Sequence, residues 1–313
     1  MPNDTSELCI DSITGAEVLY APQRANRTNA LVREPMILPV TDFCPFCPGH
    51  EEETPAELYR WPTDTSQPWQ LRLVPNRFPA VAAKLHNNAS PSAYGQHEVL
   101  IESACHDDDW LSLSVENLAH IFEAIASRLR HWSSDPRAHY VQVFKNVGTR
   151  AGATLGHPHL QLMSLDYCPV HIVKEAQNLK EHLPALFAYQ RLTIEKDANY
   201  VTLCPPVSRV PYELWLLPRH AGAFETLGFE GYLALARHLQ TMLHRLEAVI
   251  GKVSHNIIWK LPPRGHAHLP WRIEIFPRLT TFAGLELGSG LYVNPIRPEK
   301  AAEQLTRTGL ASQ

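Results

Sequence analysis

Two stretches of this chain repeat one order of elements, and that repeat limits the folds open to it. The first opens with Gln96-His97-Glu98-Val99-Leu100-Ile101-Glu102, a strand pattern, and passes through Cys105-His106. Leu118, Ile121, Phe122, Ile125, Leu129 and Trp132 then recur at helical spacing, with Ser114 placed to cap the helix. A strand at Tyr140-Val141-Gln142-Val143-Phe144, a glycine-rich loop and His157-Pro158-His159-Leu160-Gln161 follow. The second stretch starts at Tyr212-Glu213-Leu214-Trp215-Leu216-Leu217. Its helix is expected from about Phe229 to Ile250, closed by Gly251, and Asn256-Ile257-Ile258-Trp259 and Trp271-Arg272-Ile273-Glu274-Ile275 come next. Glu98 and His157 stand as far apart as Glu213 and Arg272, and in that register His159 corresponds to Glu274. The expectation is an α+β fold of two halves, 1–190 and 191–313, each an antiparallel sheet backed by a helix. The second half keeps the frame without the histidine pair.

With 313 residues, 44% of them hydrophobic, the chain can bury a sizeable core. A net charge of −4 gives no bulk attraction to nucleic acid or to an anionic membrane. No apolar run approaches the length of a membrane span, and the polar, acidic start from Met1 to Glu7 is unlike a signal peptide. A cytoplasmic protein is expected. In such a reducing setting the six cysteines are not expected to form disulfides, and the Cys44-Pro45-Phe46-Cys47 pair reads as a metal or redox motif.

Two thiolates at this spacing can chelate one tetrahedral zinc, with His50, His97, His106 and His157 as candidate partners. A structural thiol pair and a redox pair are the alternatives. Pro48 and Gly49 argue against redox, which normally uses a helix N-terminus. His157 and His159, two apart on a strand, share one face, and Pro158 between them fixes φ and removes a donor. The loop Asn146-Val147-Gly148-Thr149-Arg150-Ala151-Gly152-Ala153-Thr154 can bring backbone N–H groups against phosphate. His159 is the candidate nucleophile, because a neutral imidazole attacks phosphorus and the phosphoramidate passes the group on. Metal ligation or a plain polar strand is the other reading of this pair. Taken alone, Arg24, Arg27, Asn76 and Glu286 read as surface groups, and His266 and His268 as solvated loop histidines.

Together these residues resemble the galactose-1-phosphate uridylyltransferase family, the nucleotidyltransferase branch of the histidine triad superfamily. The likeness runs through Ile13-Thr14-Gly15, Arg24-Ala25-Asn26-Arg27, Cys44-Pro45-Phe46-Cys47-Pro48-Gly49, Asn76-Arg77-Phe78-Pro79-Ala80 and Val99-Leu100-Ile101-Glu102 with His106. It continues in Phe144-Lys145-Asn146-Val147-Gly148, His157-Pro158-His159-Leu160-Gln161, Pro211-Tyr212-Glu213 and Gly284-Leu285-Glu286. The resemblance implies tandem histidine-triad-like halves and a covalent nucleotidyl group on His159, with Gln161 bonding the α-phosphoryl oxygens. It implies one structural zinc held by Cys44, Cys47, His106 and His157. Arg24, Arg27, Asn76, Asn146, Thr154 and Glu286 would line the substrate site, and a homodimer would complete it.

Two departures stand out. The family motif usually has glycine where this chain has Leu160, so a larger side chain next to the nucleophile is expected to affect how substrate sits. Some members carry a second metal. Here Glu175 could supply one ligand, but the matching second-half positions are Lys260, Arg272 and Glu274, so that site is expected to be absent unless His266 and His268 substitute. The implied reaction is ping-pong transfer between a nucleotide sugar and a sugar 1-phosphate, most simply UDP-glucose:hexose-1-phosphate uridylyl transfer. A sugar-nucleotide phosphorylase, an adenylyltransferase, a hydrolase or a non-enzymatic zinc-braced nucleotide-binding protein are the alternatives.

Overall fold

The structure, a computed structural model, describes residues 5–26, 31, 35–40, 42–81 and 94–308. Arg27 lies outside the described residues. The strands and helices up to the midpoint are β1 (Glu7–Ile10), β2 (Glu17–Tyr20), β3 (Tyr59–Trp61), β4 (Leu71–Pro75), β5 (Gly95–Ile101), α1 (Val115–Ser133), β6 (Tyr140–Val147), β7 (His159–Leu165) and α2 (Val170–Ala188). After them come β8 (Thr193–Lys196), β9 (Tyr200–Leu203), β10 (Leu214–Pro218), α3 (Gly228–Ile250), β11 (His255–Lys260), β12 (Arg272–Pro277), α4 (Gly284–Ser289), β13 (Tyr292–Asn294) and α5 (Pro298–Thr308).

Ser114 caps α1 by accepting from Asn117 N–H, as its position in the sequence suggests. Gly251 ends α3 with φ +80, a conformation that glycine adopts without strain. Helix α2 escapes the sequence reading. Ile172, Ala176, Leu179 and Leu186 bury a helical stripe, but Pro184 inside the segment obscures it.

The two halves do not form two sheets. They merge into one ten-stranded sheet in the order β3-β4-β5-β7-β6-β11-β12-β10-β9-β8, joined where β6 pairs with β11. Read outward from that seam, the order of one half is the mirror of the other, so β7 corresponds to β12 and β5 to β10. Every pairing in this sheet is antiparallel, and β1, β2 and β13 form a separate small sheet. Helices α1 and α3 lie side by side on one face, over Leu100, Val143, Leu160, Leu162, Leu214, Ile257 and Ile273. On the other face, α2 covers Val201, Leu203, Trp215 and Leu217, while the loop carrying Cys44 and Phe46 covers Val74, Val99 and Ile101. Helix α2 thus precedes residue 190 yet packs on strands of the second half.

The face of each strand tests the repeat register residue by residue. His159 and Glu274 both point away from α1 and α3, since Leu160 and Ile273 pack toward those helices. Glu98 and Glu213 do not match. The Glu98 carboxylate accepts from Arg128 of α1, whereas Glu213 accepts from Trp215 Nε1 on the opposite face. The equal spacing in sequence therefore pairs β7 with β12 correctly and slips by one residue between β5 and β10.

In the second half the places of His157 and His159 are taken by Arg272 and Glu274, within a buried chain of alternating charge. Glu175 pairs with Lys260 at 3.1 Å and with Arg272, and Arg272 reaches Glu274 at 2.5 Å. Arg209 then bridges Glu274 at 2.9 Å and Glu213 at 2.5 Å. Burial disfavours the Glu274 carboxylate, yet Arg209 and Arg272 hold its pKa down to about 2. His266 and His268 lie apart in a loop, with ring centroids 6.1 Å from one another.

Candidate active site and metal centre

Cys44 and Cys47 lie on a turn in which Cys47 N–H donates to the Cys44 carbonyl. His106 comes from the loop after β5, and His157 lies two residues before the first residue of β7. Cys44 Sγ lies 3.7 Å from His157 Nδ1, Cys47 Sγ 3.6 Å from the same atom, and Cys47 Sγ 3.4 Å from His106 Nδ1. All four ligand atoms fall within 4.8 Å of one another. Ligands about 2.0–2.3 Å from a tetrahedral zinc stand roughly 3.3–3.8 Å apart, so the three spacings fit the edges of such a tetrahedron. His157 Nε2–H donates to the Ser103 carbonyl at 2.8 Å, which leaves the Nδ1 lone pair for a metal. Burial and the adjacent Cys44 thiol push the Cys47 pKa up to about 11, so two thiolates side by side here call for a cation. The donor set therefore fits a metal ion, and zinc in particular is compatible with it. Two of the candidate partners point elsewhere: His50 bonds the Cys44 carbonyl through Nδ1 at 2.7 Å, and His97 bonds Gln161.

His159 is buried beside Phe46, with ring centroids 5.5 Å apart. Its Nδ1–H donates to the His157 carbonyl at 2.8 Å, which leaves Nε2 as the lone-pair nitrogen. Burial pushes its pKa down to about 4, with Lys145 acting in the same direction, so the imidazole is neutral at physiological pH. One backbone carbonyl thus links the candidate metal ligand to the candidate nucleophile. Lys145, paired with Glu102 behind β7, comes within 3.5 Å of the His159 carbonyl. Gln161 shares the His159 face two residues along.

Four amides of the glycine-rich loop are bonded within the protein. Gly148, at φ +83, turns the chain out of β6, and a Cβ there would come within 2.2 Å of Ser254 Oγ. The N–H groups of Thr149, Ala151, Gly152 and Ala153 all donate within the protein, to Ile37, Gly148, Thr149 and Gly148 carbonyls. These amides shape the loop and are not available to cradle phosphate.

Leu160 departs from expectation. Its side chain is fully buried on the α1 face, opposite His159, so it does not approach a substrate at the nucleophile. Leu160→Ala is expected to cost about 2–5 kcal/mol of stability, as buried leucine truncations do. It should leave the substrate KM of the folded enzyme unchanged; a large KM change at unchanged stability would contradict this placement.

Of the other expected site residues, Asn146 shares a cleft with His157 and His159, and the rest of those described lie elsewhere. Asn76 takes Phe78 N–H on its Oδ1 at 2.8 Å and sets Nδ2 3.2 Å from His97 Nε2. Asn146 Oδ1 accepts from Asn256 at 2.8 Å, and Thr154 is exposed in the loop. Arg24 is exposed after β2, in the smaller sheet. Glu286 caps its own helix, α4, by accepting from Ala283 N–H at 2.9 Å. A cleft lined by His157 and His159 is also lined by Asn146, Leu243, Leu246 and His255. Gln161, His97 and Asn76 lie outside it, so the cleft alone does not define where a phosphoryl group sits.

A sequence profile described as galactose-1-phosphate uridyl transferase, N-terminal domain, matches residues 2–169. The chain belongs to the galactose-1-phosphate uridylyltransferase family. It is an enzyme of the nucleotidyltransferase and phosphorylase kind found there. ADP-glucose phosphorylase of Arabidopsis thaliana is 28% identical to this family member over 332 residues, which span 98% of this chain and 94% of that one. The galactose-1-phosphate uridylyltransferase of Thermotoga maritima is 22% identical over 246 residues, 68% of this chain and 74% of its own length. A crystal structure of an ADP-glucose phosphorylase from Arabidopsis thaliana with bound ADP-glucose aligns with a TM-score of 0.84 at 28% identity, covering 96% of this chain and 99% of that one. Among the described residues, no helix is long and apolar enough to cross a membrane.

Proposed function

We propose that this family member takes a nucleoside monophosphate from a nucleoside diphosphate sugar onto His159 and passes it to a second phosphate-bearing acceptor. The observation that carries this is the fixed tautomer of a buried, neutral imidazole. With Nδ1–H held by the His157 carbonyl, Nε2 is the nitrogen left to attack. A P–N bond forms from Nε2 to the α-phosphorus as the bond to the sugar 1-phosphate breaks. Nδ1–H stays on the ring, and the His157 carbonyl supports the positive charge that develops there. Gln161 donates to the α-phosphoryl oxygens, where negative charge builds up in the transition state. The acceptor then attacks in line and restores the imidazole. A bound zinc would neutralise the Cys44 and Cys47 thiolates and hold His157 in place.

Phosphate as acceptor, giving ADP from ADP-glucose, is the form of this reaction that the end-to-end likeness to ADP-glucose phosphorylase supports. Hexose 1-phosphate as acceptor with UDP-glucose as donor is the second form, supported by the likeness to a uridylyltransferase. The same reading places Asn76, Asn146, Thr154 and Glu286 around the nucleotide sugar. It keeps Arg24 and Arg27 as substrate-site residues and a homodimer as the form that completes the site. A catalytic half at 1–190, a degenerate half at 191–313 and a reducing, cytoplasmic setting belong to the proposal.

Incubation with base-labelled ADP-glucose and UDP-glucose, followed by chase with phosphate, hexose 1-phosphate or buffer, tests it. Labelling from ADP-glucose and release as ADP by phosphate is the expected result. Labelling from UDP-glucose alone, discharged by hexose 1-phosphate, would select the second form, and no protein-bound label from either donor would overturn covalent transfer.

A further inference from the structure

His97, on β5, touches none of the four candidate metal ligands and has no role in the transfer described above. Its contacts with Ala80 and Gln161 nevertheless share one direction, and in that tautomer the Asn76 NH₂, 3.2 Å from Nε2, meets the ring N–H as a second donor rather than bonding it. The Ala80 N–H donates to His97 Nδ1 at 3.2 Å, so Nδ1 is an acceptor and the single proton of the neutral ring resides on Nε2. Burial holds the pKa of His97 below the usual imidazole value and keeps the ring neutral. Nε2 lies 2.8 Å from Gln161 Oε1, so the ring N–H donates to the amide oxygen. Asn76 cannot take that proton, because its Oδ1 is held by Phe78 N–H and it presents the donor Nδ2 at 3.2 Å. With its oxygen bound by His97, Gln161 has its NH₂ group left for other partners, on the strand face it shares with His159.

We propose that His97 is a positioning residue that fixes the polarity of the Gln161 amide, so that N–H donors rather than a carbonyl oxygen meet the phosphoryl group on His159. This rests on the reading of His159 as the residue that becomes nucleotidylated. With the amide reversed, its oxygen would face the anionic phosphoryl oxygens and repel the charge that develops on them. Two short contacts, from Ala80 to Nδ1 and from Nε2 to Gln161, therefore relay orientation from the loop after β4 to the phosphoryl site.

His97→Gln and His97→Glu test this as an isosteric pair. Glutamine can still donate to Gln161 Oε1, whereas glutamate offers only acceptors and draws the Gln161 NH₂ inward. The readout is single-turnover labelling of His159 by ADP-glucose and by UDP-glucose, together with sugar-nucleotide affinity and metal content. Glutamine is expected to label within about fivefold of the parent rate and glutamate about a hundredfold more slowly, as for a lost oxyanion donor, with metal content unchanged. The difference between the pair should vanish in a Gln161→Ala background, because the two residues act through one contact. Equal rates for the pair, or a difference that survives Gln161→Ala, would overturn the proposal. If His97→Glu does not fold, His97→Leu takes its place, with about a tenfold loss relative to His97→Gln expected and equality again decisive against the idea. Absence of label on the parent protein would instead remove the reading of His159, and this inference with it.

Discussion

His159→Ala is expected to leave no nucleotidyl-enzyme after incubation with labelled ADP-glucose or UDP-glucose. Its turnover should fall by on the order of 10⁴-fold or more, as when other covalent enzymes lose their nucleophile. That factor corresponds to at least about 5.5 kcal/mol of transition-state stabilisation. The size of the effect follows from the geometry. Nε2 of His159 is the nitrogen that the His157 carbonyl leaves unprotonated, and the ring of His157 has its own Nε2 committed to Ser103. His157 is therefore badly placed to take over the attack. Denaturing gel analysis with peptide mapping reads the result directly. Label retained in the His159→Ala protein would move the nucleophile to another residue and undo the assignment.

Loss of one ligand of the Cys44, Cys47, His106, His157 cluster is expected to act on stability and chemistry together. Wild-type protein should carry about one zinc per chain by elemental analysis, and Cys47→Ser close to none. Structural zinc contributes on the order of 10 kcal/mol in small domains. Even a third of that would lower the melting temperature by roughly 5 °C or more in a protein of this size. The chemical effect comes through His157. Its ring is the candidate ligand, and its backbone carbonyl holds His159 Nδ1–H, so a ring that has lost its metal allows the His159 imidazole to turn. Nucleotidylation should fall along with metal content, and resupplied zinc should restore both in chelator-treated wild type but not in Cys47→Ser. Metal-free protein with full melting temperature and full activity would show that the cluster is a thiol and imidazole pair without a structural ion.

Parts of the fold could be read from the sequence because they depend on local chemistry. Ser114 and Gly251 mark helix ends by capping, and the apolar spacing in 118–132 and 229–250 gives the faces that α1 and α3 bury against each other. The similar order of elements in the two halves was visible for the same reason. Pairing of distant strands was not. The fusion of the halves through β6 and β11, and the one-residue slip that sends Glu98 and Glu213 to opposite faces, depend on register that no local spacing encodes. The same holds within the site. His97 stood among the possible zinc ligands by residue type, and only the pairing of β5 with β7 brings it to Gln161. Leu160 drew notice as a neighbour of His159 in sequence, but strand alternation sends its side chain to the far side of the sheet.

The pairing of β6 with β11 also bears on why the second half persists without a histidine pair. A strand whose N–H and C=O groups stand open along one side recruits other strands and promotes aggregation. Cut between the halves, the first would expose the eight-residue β6, and the second would expose β11. Each would be a sheet with an adhesive margin next to a large apolar face. The half with Arg272 and Glu274 in place of the histidines therefore covers the open side of β6, beside the loop that leads to His159.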